Sequence, residues 1–269
     1  SIGLEEIIIM NFKKTFNDII HDAEKEYTQI SANHHEDISS VVEKVSKYNL
    51  SVIPVTDDEN KLIGRITSDD IYDIIEEQAT EQLYSMAGVD EEAEEESSIF
   101  AVARARGTWL SVNLITAFAA SIVVGIFDST IQAYVSLAVL MPIVASMGGN
   151  AGYQSLTVTV RQLVLGEVTH KDQKLLLLKE FKLSIINGLL FAFVVGSIAH
   201  FWFNIPKLGF VIAGALVINL IIAGVMGVMI PMFLDRIKID PAVASSVLLT
   251  TATDVIGFFS FLGLAKLFL

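Results

Sequence analysis

From residue 107 to the end, the chain is a succession of apolar segments longer than about 20 residues, separated by short polar loops. That pattern leaves few folds. Backbone groups in hydrocarbon have no water to bond, so a spanning segment closes its hydrogen bonds within one helix or within a closed barrel. Segments of this length fit helices, which need about 20 residues to cross about 30 Å. Five are drawn at residues 107–127, 131–160, 183–204, 208–234 and 241–268. Lys and Arg in short loops set the orientation. Arg104 and Arg106 precede the first segment; Arg161, Lys171, Lys174, Lys179 and Lys182 lie between the second and third; Arg236 and Lys238 lie between the fourth and fifth. The opposite side carries Lys207 and Lys266. The expectation is a multi-pass protein of the cytoplasmic membrane, N-terminal part inside and C-terminus outside.

Charge divides the chain at the same place. Residues 1–100 hold 24 acidic against 7 basic side chains, a net of −17, whereas residues 101–269 hold 7 against 11. The front is therefore expected to be a small soluble unit, and the back a membrane domain. Without cysteine, a metal site must use oxygen or imidazole, and oxygen favours hard cations. Opening on Ser1 with no basic, apolar leader, the sequence is read as a fragment.

In the soluble half, Val41, Val42 and Val45 give helical spacing over residues 39–48, followed by a strand at 50–55, a turn at 56–60, a strand at 61–67 and a helix from Ser68, expected as its N-cap. That helix is expected to run to Met86 and stop near Ala87 and Gly88. Residues 90–98 read as a solvated acidic link. Residues 99–105 lead into the membrane, with Trp109 at the interface.

One acid lies deep in an apolar segment. Asp254 sits within SSVLLTTATDVIGFFSF, where a charge costs about 2.5–3.5 kcal/mol on insertion scales. No Lys or Arg occurs at comparable depth, so the cost is met by a visiting cation, by a water-filled path, or by protonation and a bond to a neighbouring helix. Ser246 and Thr250 share its helical face, a stripe that could line an ion path or glue helices together. In the second segment, Pro142, Gly148, Gly149 and Gly152 permit close packing or local unwinding, and Asn150 and Gln154 place two amides on one face. Asp73, Glu76, Glu77, Glu81, Asp90 and Glu91 lie on or beyond the connecting helix, as cation-sensing groups or as a solvated face. His34 and His35 before Glu36 and Asp37 read as a loop and N-cap in preference to a transition-metal site. With no nucleophile, acid–base pair or phosphate loop, no enzyme is expected, and no nucleic-acid partner.

Two resemblances sharpen these expectations. NLSVIPVTDDENKLIGRITSDDIYDII looks like part of a CBS domain over residues 29–75, and residues 1–28 resemble the end of a preceding CBS module and its linker. PIVASMGGNAGYQSLTVTVR, followed by DPAVASSVLLTTATDVIGFF, resembles the MgtE family of magnesium channels and transporters. By that resemblance the fold is mainly α. A small α/β CBS-type cytosolic domain (29–75) and a connecting or plug helix with its acidic linker (76–106) precede a five-helix transmembrane domain (107–269) in a homodimer.

The resemblance also implies a function. The ion path would run on the two-fold axis between the second and fifth helices. Asp254, one from each subunit, would hold hydrated Mg²⁺, with the Thr250 backbone, Asn150 and Gly149 nearby. The acidic cytosolic domain would close the pore when internal Mg²⁺ is high, and an adenine nucleotide such as ATP could occupy the CBS region. Some relatives carry Asn where this chain has Ser246, and an acid where it has Gln82. The expected activity is a channel importing Mg²⁺; the alternative is an H⁺- or Na⁺-coupled divalent-cation carrier using Asp254 as its coupling acid.

Overall fold

A computed structural model describes residues 30–89, 94, 98–164 and 172–269, and its contacts divide the chain into a unit ending at Thr80 and a unit beginning at Glu81. The expectations on residues 1–28, Asp90 and Glu91 fall outside the described residues.

The first unit follows the expected order, with one addition. A two-residue strand β1 (Ala32–Asn33) precedes helix α1 (Ile38–Tyr48), strands β2 (Val52–Thr56) and β3 (Leu62–Thr67), and the start of helix α2 (Ser68–Ala87), whose residues from Glu81 on belong to the second unit. Strand β2 is central, parallel to β1 with Ala32 opposite Val55, and antiparallel to β3 with Ile53 opposite Ile66. Ala32, Val41, Val45, Ile53 and Ile71 form the buried core. Asp37 caps α1 by accepting from the Ser39 N–H at 2.8 Å, and Asn49 ends it in the left-handed region at φ +49°. The β2–β3 turn is tied by Asp57 Oδ1, which accepts from the backbone of Glu59 and Lys61.

The N-cap of α2 is Thr67, one residue before the expected Ser68. Asp70 reaches back to accept from the Thr67 N–H at 2.8 Å and from the Thr67 hydroxyl, so that one carboxylate oxygen ties the backbone and side chain entering the helix. These bonds hold the Asp70 carboxyl below the usual carboxylate range. At the far end, Gly88 at φ +71° closes α2 where expected, with Val89 N–H donating to Tyr84 O at 2.9 Å.

The second unit is a helix bundle: α3 (Ile99–Ile126), the short α4 (Asp128–Ala133), α5 (Ser136–Val164), α6 (Gln173–Phe203), α7 (Pro206–Arg236) and α8 (Pro241–Phe268). Helix α7 is the hub, packed against α5, α6 and α8, while α3 leans on α8. The main core joins Leu137, Leu140 and Val144 of α5 to Leu208, Ile212, Leu216 and Leu220 of α7 and Phe261 and Leu262 of α8. Tyr134 closes the loop before α5 by donating to the Leu269 carbonyl at 2.8 Å.

Small residues set the α6–α7 contact. Glu180, Ser184, Gly188, Ala192, Gly196 and Ala199 form one buried line along α6, and a Cβ added at Gly209 would stand 2.6 Å from the Gly196 carbonyl oxygen. Glycine is required there because backbone meets backbone. Large apolar side chains remain exposed on the outer faces, among them Leu114, Ile115 and Phe118 of α3 and Leu189, Phe193 and Phe201 of α6. Such surfaces suit hydrocarbon as their solvent.

Among the described residues, four helices are long and apolar enough to cross a membrane, against the five expected: Ile99–Ile126, Gln173–Phe203, Pro206–Arg236 and Ala244–Phe268. The second expected segment does form a helix of 29 residues, about 44 Å long. Its Gly-Gly-Asn stretch and Gln154 dilute its apolar character, so α5 is absent from the four. The third expected segment starts ten residues too late, because α6 continues as a helix through the charged residues 173–182.

Candidate ion site in the membrane domain

Asp240 caps α8 by accepting from the Ala242 N–H at 2.8 Å, with Pro241 in the first turn, and this start sets the register of every polar residue that follows. Asp254 is half-buried, and among the described residues its carboxylate has neither a hydrogen-bond partner nor an ion pair. The adjacent hydroxyls are used locally. Thr250 donates to the Ser246 carbonyl at 2.8 Å, Thr251 to Val247 at 2.7 Å, and Thr253 to Leu249 and Thr250 at 3.1 Å each. Each hydroxyl keeps lone pairs to offer, but the Thr250 carbonyl already receives a bond from Thr253. Ser246 is buried at 5 % exposure.

On α5 the backbone stays helical across the Gly-Gly-Asn stretch, so the glycines serve close approach and not unwinding. A Cβ at Gly148 would fall 2.2 Å from Asn219 Nδ2 of α7, and one at Gly152 would fall 2.9 Å from Leu249 of α8. Gly149 faces open space. Ser146, Asn150, Tyr153, Gln154 and Thr157 are all exposed, which makes this face of α5 a polar stripe on the isolated chain. Asn150 donates to Ser146 Oγ at 3.3 Å.

Helices α5 and α8 meet where Tyr153 and Thr250 place their hydroxyl oxygens 3.5 Å apart. Tyr153 was not among the residues singled out from the sequence; its signal was an aromatic hydroxyl between Asn150 and Gln154. Asn150, Tyr153, Gln154 and Thr157 line one recess of about 710 Å³, closed on the other side by Asn187 and Phe191 of α6. Asp254, Thr250 and Ser246 do not line that recess.

The cytosolic candidates lie on α2, where Asp73, Glu76, Glu77 and Glu81 are all exposed. Within the second unit, Met86 in the last turn of α2 packs on the cluster formed by Leu156 and Val160 of α5 with Ala242 and Leu249 of α8. Arg106 of α3 makes a two-pronged pair with Glu94 at 2.6 and 2.7 Å, and this pairing holds the Glu94 carboxyl low. His34 and His35 gather with Asp58 in an exposed trio whose ligand atoms lie within 4.8 Å of one another.

Comparison with known proteins agrees with this architecture. Residues 141–264 match the MgtE family model, described as a divalent cation transporter, and residues 26–77 match the CBS domain. The chain is 32 % identical to the magnesium transporter MgtE of Bacillus subtilis over 89 % of its own length and 53 % of the relative's. It is 33 % identical to the protein of that name from Thermus thermophilus over 87 % and 52 %, and 29 % identical to that from Enterococcus faecalis over 100 % and 58 %. The chain thus spans about half the length of these curated relatives. Over residues 141–264, from α5 to α8, the chain carries the domain of the MgtE family, with a CBS domain in front of it.

Proposed function

We propose that this chain forms a homodimeric magnesium channel of the cytoplasmic membrane, with α5 as a fifth crossing helix beside the four apolar ones. The observation that carries the reading is the unpartnered carboxylate of Asp254 in the interior of α8. An uncompensated charge at such a depth is costly and marks an ion path by default. The weak apolar character of α5 supports the same reading, since a helix facing water and ions needs polar residues along one side.

Two copies of Asp254 facing across a two-fold axis would repel until a divalent cation lay between them. Mg²⁺ holds its six waters tightly, so carboxylates that read the hydrated ion avoid a large dehydration cost. Asn150, Gly149, Gln154, Ser246 and the Thr250 backbone complete the proposed path, and Tyr153 joins it through its contact with Thr250. The outer hydrophobic faces of α3 and α6 meet lipid.

Regulation follows from charge. A front half of net −17 repels a second copy, and Mg²⁺ bridging Asp73, Glu76, Glu77, Glu81, Asp90 and Glu91 would relieve that repulsion at high internal concentration. Within the second unit, Met86 packs on α5 and α8, the two helices of the path. The N-terminal unit lies in the cytosol and the C-terminus outside, by the distribution of Lys and Arg. ATP at the CBS unit is not required by this reading, and a nucleotide titration measures it separately.

The test is Mg²⁺ flux into vesicles carrying the purified chain, with Asp254→Ala and Asp254→Asn as variants. Flux above background that both variants abolish supports the reading. Flux that persists unchanged in both overturns it. Unitary current steps identify a channel, whereas a flux locked in fixed ratio to H⁺ or Na⁺ identifies a coupled carrier.

A further inference from the structure

A second, smaller recess of about 160 Å³ lies between α5, α6 and α7; it shares Gln154 and Asn187 with the larger one, and the function proposed above gives no role to its Glu180 and Ser184. Its polar lining is Gln154 and Ser155 of α5 with Glu180, Ser184 and Asn187 of α6. The space holds about five water molecules at roughly 30 Å³ each.

Glu180 is the unusual member of this set. It is only 9 % exposed, it stands at the head of a line of small residues packed on α7, and its carboxylate has no hydrogen-bond or ion-pair partner among the described residues. Its sequence neighbours Lys179 and Lys182 do not neutralise it: both are exposed and line a different recess with Gln162 and Asp172. Most of the side chain is covered while its carboxylate opens on the recess, where it is the one formal charge of the lining. Local packing keeps the hydroxyls in place. Ser155 donates to the Gly224 carbonyl at 3.0 Å, and a Cβ at residue 224 would fall 2.0 Å from the Ser184 Oγ, so glycine there leaves room for that hydroxyl.

The donor set selects the ion. Every available ligand is oxygen, which suits hard cations and disfavours transition metals that seek nitrogen or sulfur. One formal negative charge with neutral amide and hydroxyl oxygens balances one positive charge. A divalent ion would stay half-neutralised by the one carboxylate. We propose that Glu180, with Gln154, Ser184 and Asn187, forms a binding site for one partly hydrated monovalent cation, Na⁺ in ordinary media. The site does not include Asp254, and its test is a binding measurement and not a flux, so its failure is distinguishable from failure of the proposed Mg²⁺ path.

The experiment titrates NaCl against the full purified chain in detergent at constant ionic strength made up with choline chloride, following ²³Na line broadening and the thermal unfolding midpoint. Wild type is expected to show saturable Na⁺ binding, and Glu180→Gln to weaken it at least about tenfold, as loss of a charged ligand implies. Should Glu180→Gln fail to fold, Asn187→Leu and Ser184→Ala, which keep the carboxylate, are each expected to weaken Na⁺ binding about threefold or more. Absence of saturable binding in wild type overturns the proposal, as does saturation unmoved by the variants. Displacement of Na⁺ by Mg²⁺ at lower concentration than Na⁺ itself requires, lost in Glu180→Gln, also overturns it by making the site divalent.

Discussion

The side-chain amide of Asn219 on α7 donates to the backbone carbonyl of Val144 on α5 across 2.9 Å, in a place with no solvent exposure. Gly148 of α5 and Gly257 of α8 close around that amide, since a Cβ at either position would come within 2.7 Å of its nitrogen. One buried amide thus holds together the hub helix and the two helices of the proposed ion path.

Gly148→Ala therefore forces Asn219 away from Val144 and strands a buried donor. Overpacking and a lost buried bond together cost about 1–3 kcal/mol. The thermal midpoint of the purified chain is expected to fall, with Mg²⁺ flux falling alongside it. Gly149→Ala is the contrast, because nothing lies within 4 Å of its would-be Cβ. That variant is expected to fold at least as stably as wild type, since alanine favours helix over glycine by about 1 kcal/mol. A flux change in Gly149→Ala then reports on the ion path and not on the fold.

At the α6–α7 contact the neighbour is backbone, which cannot swing aside. Gly209→Ala would place a Cβ 2.6 Å from the Gly196 carbonyl oxygen, so the helices must separate, whereas Gly214→Ala meets only Leu264 at 3.4 Å. Gly209→Ala is expected to lower the unfolding midpoint in detergent and Gly214→Ala to leave it within experimental error. Equal midpoints for the two would show that the close approach contributes nothing.

In the first unit, Glu36 sets a pH dependence. Its carboxylate accepts from Lys44 Nζ at 2.7 Å, Ser40 Oγ at 2.6 Å and the Asn33 N–H at 3.2 Å. Led by the Lys44 bond, these partners lower its pKa from the ordinary 4.5. A folded-state pKa below the unfolded one means the stabilisation is whole above about pH 4.5 and is lost as pH falls through the lowered value. Glu36→Gln should cost on the order of 1 kcal/mol near neutrality and flatten the acid limb, because the pair is partly exposed. Hydrogen exchange of β2 amides between about pH 6 and 3 measures both; an unchanged acid limb would remove Glu36 as its source.

Sequence patterning reaches the elements whose ends coincide with a change of solvent. Helix α8 spans residues 241–268 as expected, since Asp240 and Pro241 punctuate its start and the apolar run its length. The first ten residues of α6 escape such patterning because they are helical but charged, and hydropathy sees only what enters hydrocarbon. Strand β1 has two residues and exists through pairing with β2, which no local pattern encodes. Asp254 is visible in the sequence as a charge inside an apolar run. Asn219 offers a weaker signal of the same kind, a single amide in α7, and Glu180 reads as a residue at the membrane entry, whose burial shows only once α6 and α7 are packed together. Spacing at 184, 188, 192 and 196 is legible as a packing stripe, but which helix it meets requires the fold.

The exposed polar face of α5 bears directly on assembly. Ser146, Asn150, Gln154 and Thr157 cannot face lipid cheaply, so in a membrane they meet water or a second copy of the chain. The chain has no cysteine, and a single introduced thiol therefore reports only on its own surroundings. If α5 lies beside a two-fold axis, Asn150→Cys falls near its own symmetry mate and a short bis-maleimide links two chains covalently. Phe193→Cys, on a face of α6 that is 75 % exposed and apolar, stays apart from its mate and remains monomeric on a denaturing gel. Efficient linking at both positions would indicate random collision in the membrane. Linking at Phe193 alone would move the interface to α6, leaving the polar stripe of α5 to line water without a partner.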